Sequence, residues 1–291
     1  MTASTLPASP DSNAGSTAAF IGGGNMARSL IGGLVARGTP GGSIRVAEPA
    51  EAARKALADD FGVATFADGT QAADGADVWM LAVKPQVLRQ VCEALAPQAR
   101  ARRPLIVSVA AGITTAQIAR WLGGGEHTDA PAIVRCMPNT PALLGAGVTG
   151  LFATPAVDAS GRERAQALLS SAGTTVWIDD EAQMDAVTGT SGSGPAYVFL
   201  LAEAMEDAAK RQGLPGDTAR TLALQTILGA ARMLTEPGAP PPAELRRRVT
   251  SPGGTTQAAI ETFEEGGLRE LVDRAIANAA ERGRELSAAN D

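Results

Sequence analysis

The chain has 291 residues, 45% of them hydrophobic, which suffices for about two domains with a sizeable core. A net charge of −6, a pI of about 5.0 and only 3% aromatics exclude a phosphate-backbone binder and a base-stacking platform, so no nucleic-acid partner is expected. There is no run of about eighteen apolar residues, which excludes a membrane-spanning helix. The two cysteines, Cys92 and Cys136, match no metal or disulfide framework; no metal is expected, and the setting expected is a reducing cytoplasm.

Residues 1–17 are rich in Ala, Ser, Thr and Pro and lack the basic start and apolar centre of a secretory signal. They read as a disordered extension. Thr17 to Ile21 reads as a short buried strand. It runs into Gly22-Gly23-Gly24-Asn25-Met26-Ala27, a G-x-G-x-x-A turn, and then a helix from Met26 to Arg37. Strand, glycine turn and helix together make a dinucleotide fingerprint. Gly22 permits the tight turn, Gly24 lets the backbone approach a pyrophosphate, and Ala27 lets the helix pack closely on the strand.

The next strand, Ser43 to Ala47, ends at Glu48, about where an acid binds the adenosine ribose hydroxyls, which argues for NAD. Arg54 and Lys55 follow about one helical turn later and could meet a 2′-phosphate, so both cofactor readings stand. A strand is expected over Phe61 to Thr65, a short helix over Gln71 to Gly75, and a buried strand from Asp77 to Val83. That strand ends in Lys84-Pro85-Gln86, beyond its carboxyl end, where ligands bind in open α/β sheets. Pro104 to Val109 is another strand, followed by the small residues Ala110-Ala111-Gly112. Thr114 or Thr115 caps a helix from Ala116 to Leu122, and a loop holding His127 follows. The strand Ala132 to Cys136 leads to Met137-Pro138-Asn139-Thr140-Pro141-Ala142, where Asn139 and Thr140 offer polar groups toward the crevice. Val148 to Ala153, a helix from Gly161 to Ala172 and the strand Thr174 to Ile178 complete a Rossmann-type doubly wound, mostly parallel sheet over residues 18–180.

After Asp179 helical periodicity takes over, and residues 181–291 read as an all-α substrate-binding and dimerisation domain. A helix from Ala196 to Gln212 sets Val198, Leu201, Met205 and Ala208 on one face. Asp217 or Thr218 caps the next helix, which runs through Met233. A short helix from Glu244 to Val249 carries Arg246-Arg247-Arg248. Helices around Ala258 to Glu264 and from Leu268 to Leu286 close the chain. Small apolar residues on more than one helical face predict a homodimer through this domain.

Between the last short helix and the next lies Ser251-Pro252-Gly253-Gly254-Thr255-Thr256. Two glycines and two threonines at a helix start offer backbone N–H groups and hydroxyls at a positive dipole end, a place for a small carboxylate. A nicotinamide domain beside such a loop suggests hydride transfer. Oxidising an alcohol would need a placed base. His127 has no paired acid nearby, and Lys210 stands at the far end of its helix. A cyclic imine asks for less, because its nitrogen is basic enough to arrive protonated. The site must then hold the carboxylate and keep a hydroxyl near the nitrogen. A hydroxyacid or other imine reductase, with Lys210 or Asp185 as base, and a protein that only senses nicotinamide are the rival readings.

The chain resembles the pyrroline-5-carboxylate reductases. The resemblance is carried by Ile21-Gly22-Gly23-Gly24-Asn25-Met26, Ala82-Val83-Lys84-Pro85, Ser108-Val109-Ala110-Ala111-Gly112, Met137 to Ala142, Ser191-Gly192-Ser193-Gly194-Pro195-Ala196-Tyr197 and Ser251 to Thr256. It implies reduction of 1-pyrroline-5-carboxylate to L-proline, the last step of proline biosynthesis, with NADPH or alternatively NADH. It places the cofactor on the glycine turn with Asn25 and Met26, on Ala82, Val83, Lys84 and Pro85, and on Ala110 and Ala111; the residue pattern itself adds Glu48 at the ribose and Asn139 in the crevice. It places the substrate carboxylate on Thr255 and Thr256, with the Thr256 hydroxyl nearest the ring nitrogen, and the loop pattern itself adds Ser251, Gly253 and Gly254 to the substrate site. Ser191 to Gly194 would shape the nicotinamide end. The resemblance also implies dimers through intertwined helical domains and allows a decamer. Two departures stand out. Glu48 replaces a frequent Ser or Thr that suits a 2′-phosphate, and Arg247 and Arg248 stand where acidic or amide residues are frequent.

Overall fold

The computed structural model describes residues 17–124 and 130–289. His127 and nearly all of the expected amino-terminal extension lie outside the described residues. The first part of the chain alternates strand and helix: β1 (Ala18–Ile21), α1 (Asn25–Ala36), β2 (Ile44–Ala47), α2 (Glu51–Phe61), β3 (Ala64–Phe66), α3 (Gly69–Ala73), β4 (Val78–Leu81), α4 (Pro85–Arg102), β5 (Leu105–Ser108), α5 (Thr115–Trp121), β6 (Ile133–Met137), β7 (Gly147–Ala153), α6 (Ala159–Ser170) and β8 (Gly173–Trp177). The strands form one sheet in the order β3-β2-β1-β4-β5-β6-β7-β8. Every neighbouring pair is parallel except β6 and β7. The link from Met137 to Gly147 contains no crossover helix, so β7 can only return antiparallel.

Side-chain alternation along the strands builds two cores, one on each face of the sheet. Phe20, Val46, Met80, Val107 and Val134 point to the face covered by α1 and α6 residues such as Leu30, Ile31 and Leu168. Ala19, Ile21, Trp79, Leu81 and Ile106 point to the other, against Leu88, Cys92 and Leu95 of α4 and Ile118 of α5. Each fully buried large side chain stabilises the fold by about 1.5–3 kcal/mol relative to exposure.

Several elements differ from the sequence expectation. α4 was not expected. Its buried residues Leu88, Cys92, Leu95, Ala96 and Ala99 recur at helical spacing, but Pro97 lies inside the helix and punctuates the pattern. Phe61 belongs to α2, which Gly62 ends in the left-handed conformation at φ 66°, so the strand there is only Ala64–Phe66.

The second part is helical: α7 (Met184–Val187), a π-helical turn over Thr188–Gly192, then α8 (Gly194–Arg211), α9 (Gly216–Thr235), α10 (Pro242–Arg248), α11 (Thr255–Glu265) and α12 (Leu268–Ala289). α9 starts after Pro215, so Asp217 and Thr218 lie inside its first turn and neither caps it. α8 buries none of its residues; Val198 is 44% and Leu201 48% exposed. The apolar face set out by Val198 and Leu201 is therefore open in the single chain.

The chain divides into two compact units. One runs up to Gly192 and includes the chain from Ala279 onward; the other is Ser193–Asn278. The division into compact units thus falls after the π-helical turn. Glu181 explains part of this. Its carboxylate accepts hydrogen bonds from Thr115 N (2.8 Å), Thr115 Oγ1 (2.6 Å) and the buried Arg135 (Nη1, 2.9 Å), which ties the residues after β8 to α5 and β6. The end of α12 is tied to the same helix, because Gln117 Nε2 donates to Ser287 O at 3.0 Å.

Candidate active site

The glycine turn sits where the strand order reverses, between β1 and β4. Gly22 has φ 108°, and a Cβ there would lie 2.7 Å from the Ala82 carbonyl oxygen. Only glycine lets the loops after β1 and β4 come this close. A Cβ on Gly24, by contrast, would meet nothing within 4 Å. Gly24 is also the N-cap of α1. It has no side chain to cap the helix, and no acidic residue stands in the first turn. The Asn25, Met26 and Ala27 N–H groups therefore point out of the helix start without intrahelical partners. A pyrophosphate supplies the charge and acceptors this cradle lacks, so the residues present fit a dinucleotide. Ala27 is fully buried, as close packing of α1 on the sheet requires.

Glu48 closes the turn from the side. Its carboxylate accepts the Gly23 N–H at 3.2 Å and the Ala50 N–H at 3.0 Å. Arg54 turns to the backbone, donating from Nη1 to the carbonyls of Glu48 (2.8 Å) and Pro49 (2.6 Å). Lys55 pairs with Asp59 one turn along α2, and that hydrogen bond raises its pKa.

Ala82 and Val83 are half-buried beside the turn, and the exposed Lys84 is the N-cap of α4, with Pro85 in its first turn. Ala110 is buried and Ala111 exposed at the end of the β5 loop. Thr114 rather than Thr115 caps α5, in a capping box with Gln117. Asn139 was expected to offer its amide toward the crevice. Instead its Nδ2 donates to Ser191 O at 3.1 Å and its Oδ1 accepts the Val148 N–H at 3.0 Å. The amide fastens the π-helical turn to the loop after β6. Gly192 in that turn is packed tightly, since a Cβ there would lie 2.5 Å from Met137 Cε.

In the second unit, Gly253 has φ 68° and Gly254 caps α11 without a side chain. The two glycines do not supply the free donors expected of them. Gly253 N donates to Gln257 Oε1 (2.7 Å), and Gly254 N donates to Ser251 O (3.0 Å). These bonds shape the loop, and the open N–H groups are those of Thr255, Thr256 and Gln257 at the helix start. No acid occupies that first turn, and among the described residues neither threonine hydroxyl has a hydrogen-bond partner. Thr255 is exposed and Thr256 half-buried. The arrangement can hold one carboxylate and present one hydroxyl beside it.

The other candidates are occupied. Arg247 and Arg248 both pair with Glu244 on their own helix. Lys210 pairs with Glu206 at 2.6 Å and Asp207 at 3.4 Å, and the Glu206 hydrogen bond leads in raising its pKa, which disqualifies it as a base near neutrality. Among the described residues no cluster of metal-ligating side chains occurs. Sequence reasoning missed the joining of Arg135 and Thr115 through Glu181. The only signal for it was a charged residue inside an otherwise apolar strand.

Residues 181–286 match the family model described as pyrroline-5-carboxylate reductase dimerisation, and residues 17–112 match that of the coenzyme F420-dependent NADP oxidoreductases. The pyrroline-5-carboxylate reductase of Pseudomonas aeruginosa is 51% identical over 92% of this chain and 96% of its own length. A solved pyrroline-5-carboxylate reductase from Coxiella burnetii superposes with a TM-score of 0.89 at 43% identity, covering 94% of this chain and 98% of its own. The Plasmodium falciparum pyrroline carboxylate reductase, solved with NADP bound, has a TM-score of 0.79 at 25% identity, with coverages of 94% and 98%. With half its residues shared with one such relative along almost the whole length of both proteins, the chain belongs to the pyrroline-5-carboxylate reductase family.

Proposed function

We propose that this chain reduces 1-pyrroline-5-carboxylate to L-proline with NADPH or NADH, the closing step of proline biosynthesis, and that its residues divide the work as follows. Gly22, Gly24, Asn25 and Met26 receive the pyrophosphate at the start of α1, and Glu48 receives the adenosine ribose. Ala82, Val83, Lys84, Pro85, Ala110 and Ala111 line the remainder of the dinucleotide site. Asn139 serves it indirectly, by fixing the turn that contains Ser191. The reduced nicotinamide supplies a hydride to the imine carbon.

The single observation that carries the substrate assignment is the start of α11. Three N–H groups and the positive helix end hold the substrate carboxylate there. Ser251, Gly253 and Gly254 give the loop its shape. The Thr256 hydroxyl lies one residue into the helix and is free to hydrogen-bond the ring nitrogen, which arrives protonated and needs no enzymic base. Thr255 contributes its N–H and a second hydroxyl.

Residues 18–180 carry the cofactor and 181–291 the substrate and the dimerisation surface in this assignment, a functional division that differs from the compact units, which part after Gly192 and rejoin at Ala279. Homodimerisation through the helical segment is supported by Phe199 and Leu200, 67% and 66% exposed on α8. A decamer built from such dimers is the larger assembly. No helix of the described residues is long and apolar enough to cross a membrane, and we assign the enzyme to the cytoplasm.

The test is oxidation of NADPH and of NADH by purified protein with 1-pyrroline-5-carboxylate, repeated with Thr256→Ala. Loss of the hydroxyl should lower kcat by about 10²-fold, the usual scale for one preorganised polar group. Turnover unchanged in the variant would remove Thr256 from the chemistry. No turnover in the folded wild type, with either cofactor, would overturn the reaction.

A further inference from the structure

We infer that Glu48 tilts this enzyme toward NADH over NADPH, because it sets a carboxylate at the adenosine ribose end of the site while the basic side chains beside it on β2 and α2, Arg45, Arg54 and Lys55, already bond other groups. The inference rests on the dinucleotide site proposed above. The two cofactors differ there by a single group: a 2′-hydroxyl in NADH and a phosphate of about −2 charge in NADPH. At the end of the second strand of a Rossmann sheet, an acid accepts from the ribose hydroxyls, whereas a 2′-phosphate calls for a cation.

The carboxylate of Glu48 is held in place. Gly23 N–H anchors one oxygen and Ala50 N–H the other. Each oxygen keeps a further lone pair, enough for the 2′- and 3′-hydroxyls. The cations on the flanking elements are spent on other partners. Arg54 donates to the carbonyls of Glu48 and Pro49. Lys55 pairs with Asp59. Arg28 of α1 pairs with Asp60 and lies over the Phe61 ring. Arg45 of β2 donates to Ala72 O at 2.8 Å and Gln71 O at 2.7 Å, and its guanidinium stacks on Phe66. A 2′-phosphate would be brought against the Glu48 carboxylate, and the basic side chains nearby would have to share it with the partners they already hold.

The test is equilibrium titration of the full-length protein with NADH and with NADPH, followed by nicotinamide fluorescence in the absence of the pyrroline. Wild type, Glu48→Ser and Glu48→Gln are compared; the glutamine keeps the size and one acceptor should the serine variant fold poorly. NADH is expected to bind at least about tenfold more tightly than NADPH, given the cost of juxtaposing like charges. Both variants should narrow that ratio by about tenfold, with NADPH gaining affinity, and added salt should narrow it in the wild type. NADPH binding as tightly as NADH in the wild type, or a ratio unmoved in both variants, would overturn the inference and leave the reductase assignment intact. Binding of neither dinucleotide would overturn the dinucleotide site itself. A preserved ratio without turnover would support the inference and count against the proposed reaction.

Discussion

Alanine at Gly22 and alanine at Gly24 insert the same methyl group two residues apart and should fail in opposite ways. At Gly22 the new Cβ would lie 2.7 Å from Ala82 O and 2.8 Å from Ala82 C, both backbone atoms that cannot rotate aside. The residue would also have to keep φ 108°, which costs an L-residue about 1–3 kcal/mol. Overpacking adds about 1–3 kcal/mol. The sum, about 2–6 kcal/mol, is a large share of a typical 5–15 kcal/mol. At about 2–4 °C per kcal/mol, the Tm should fall by roughly 5–20 °C. At Gly24 the methyl meets no protein atom, and φ −69° with ψ −176° is open to alanine. Loss of the glycine N-cap costs about 1 kcal/mol or less, so the Tm should move by only about 3 °C. The methyl does, however, obstruct close approach to the α1 N–H groups, and the Kd for either dinucleotide should rise by about tenfold or more. Thermal unfolding followed by circular dichroism, with a dinucleotide titration on each variant, reads both effects. Gly24→Ala binding as tightly as wild type would refute the placement of the pyrophosphate. Gly22→Ala melting with the wild type would refute the steric argument.

Glu181→Ala should cost about 3 kcal/mol in urea unfolding, because it leaves the Arg135 guanidinium buried without its carboxylate; an unchanged midpoint would mean that water replaces the pair. Asn139→Ala strands the half-buried Val148 N–H and frees Ser191 O, and should cost about 1 kcal/mol together with a raised KM for the dinucleotide. Burial pushes the Cys92 thiol up to about 12 and that of Cys136 well above its ordinary value, so neither should react with an alkylating reagent in the folded protein at pH 8. The folded chain keeps these protons where the unfolded chain releases them near pH 9.0. Their contribution to stability is therefore complete below pH 9 and declines as pH rises toward 12. Cys92→Ala should flatten that alkaline decline in denaturation midpoints measured across the range.

The sheet and its crevice were legible in the sequence because the signals are local. A four-residue apolar strand, a glycine turn and a helix follow one another without a gap, and Gly22 and Gly24 are each explained by what stands next to them. Proline hid α4: the spacing of Leu88, Cys92, Leu95 and Ala99 is helical, but Pro97 reads as a stop. The Glu181 cluster was hidden by distance, since its partners Arg135 and Thr115 lie 46 and 66 positions away. Residue type alone also misjudged orientation. Asn139 carries the expected amide but spends it on the protein, and Gly253 and Gly254 carry N–H groups that the loop itself consumes. For α8 the pattern was right about an apolar face, yet a periodic stripe states that a face is covered without stating by what.

The division of the chain has a practical consequence for dissecting it. The sheet unit is left after Gly192 and entered again at Ala279, so residues 193–278 are an insertion into it rather than an appendix to it. The returning turns are stitched in place: Gln117 grips the Ser287 carbonyl, and a Cβ on Gly112 would stand 3.5 Å from that of Leu286. Cutting the gene at residue 180 to isolate a nicotinamide-binding fragment would discard part of its own scaffold. Residues 279–289, supplied as a separate peptide or joined through a short linker to Gly192, should restore cooperativity to such a fragment. Conversely, shortening the chain from its last helix should damage dinucleotide binding first.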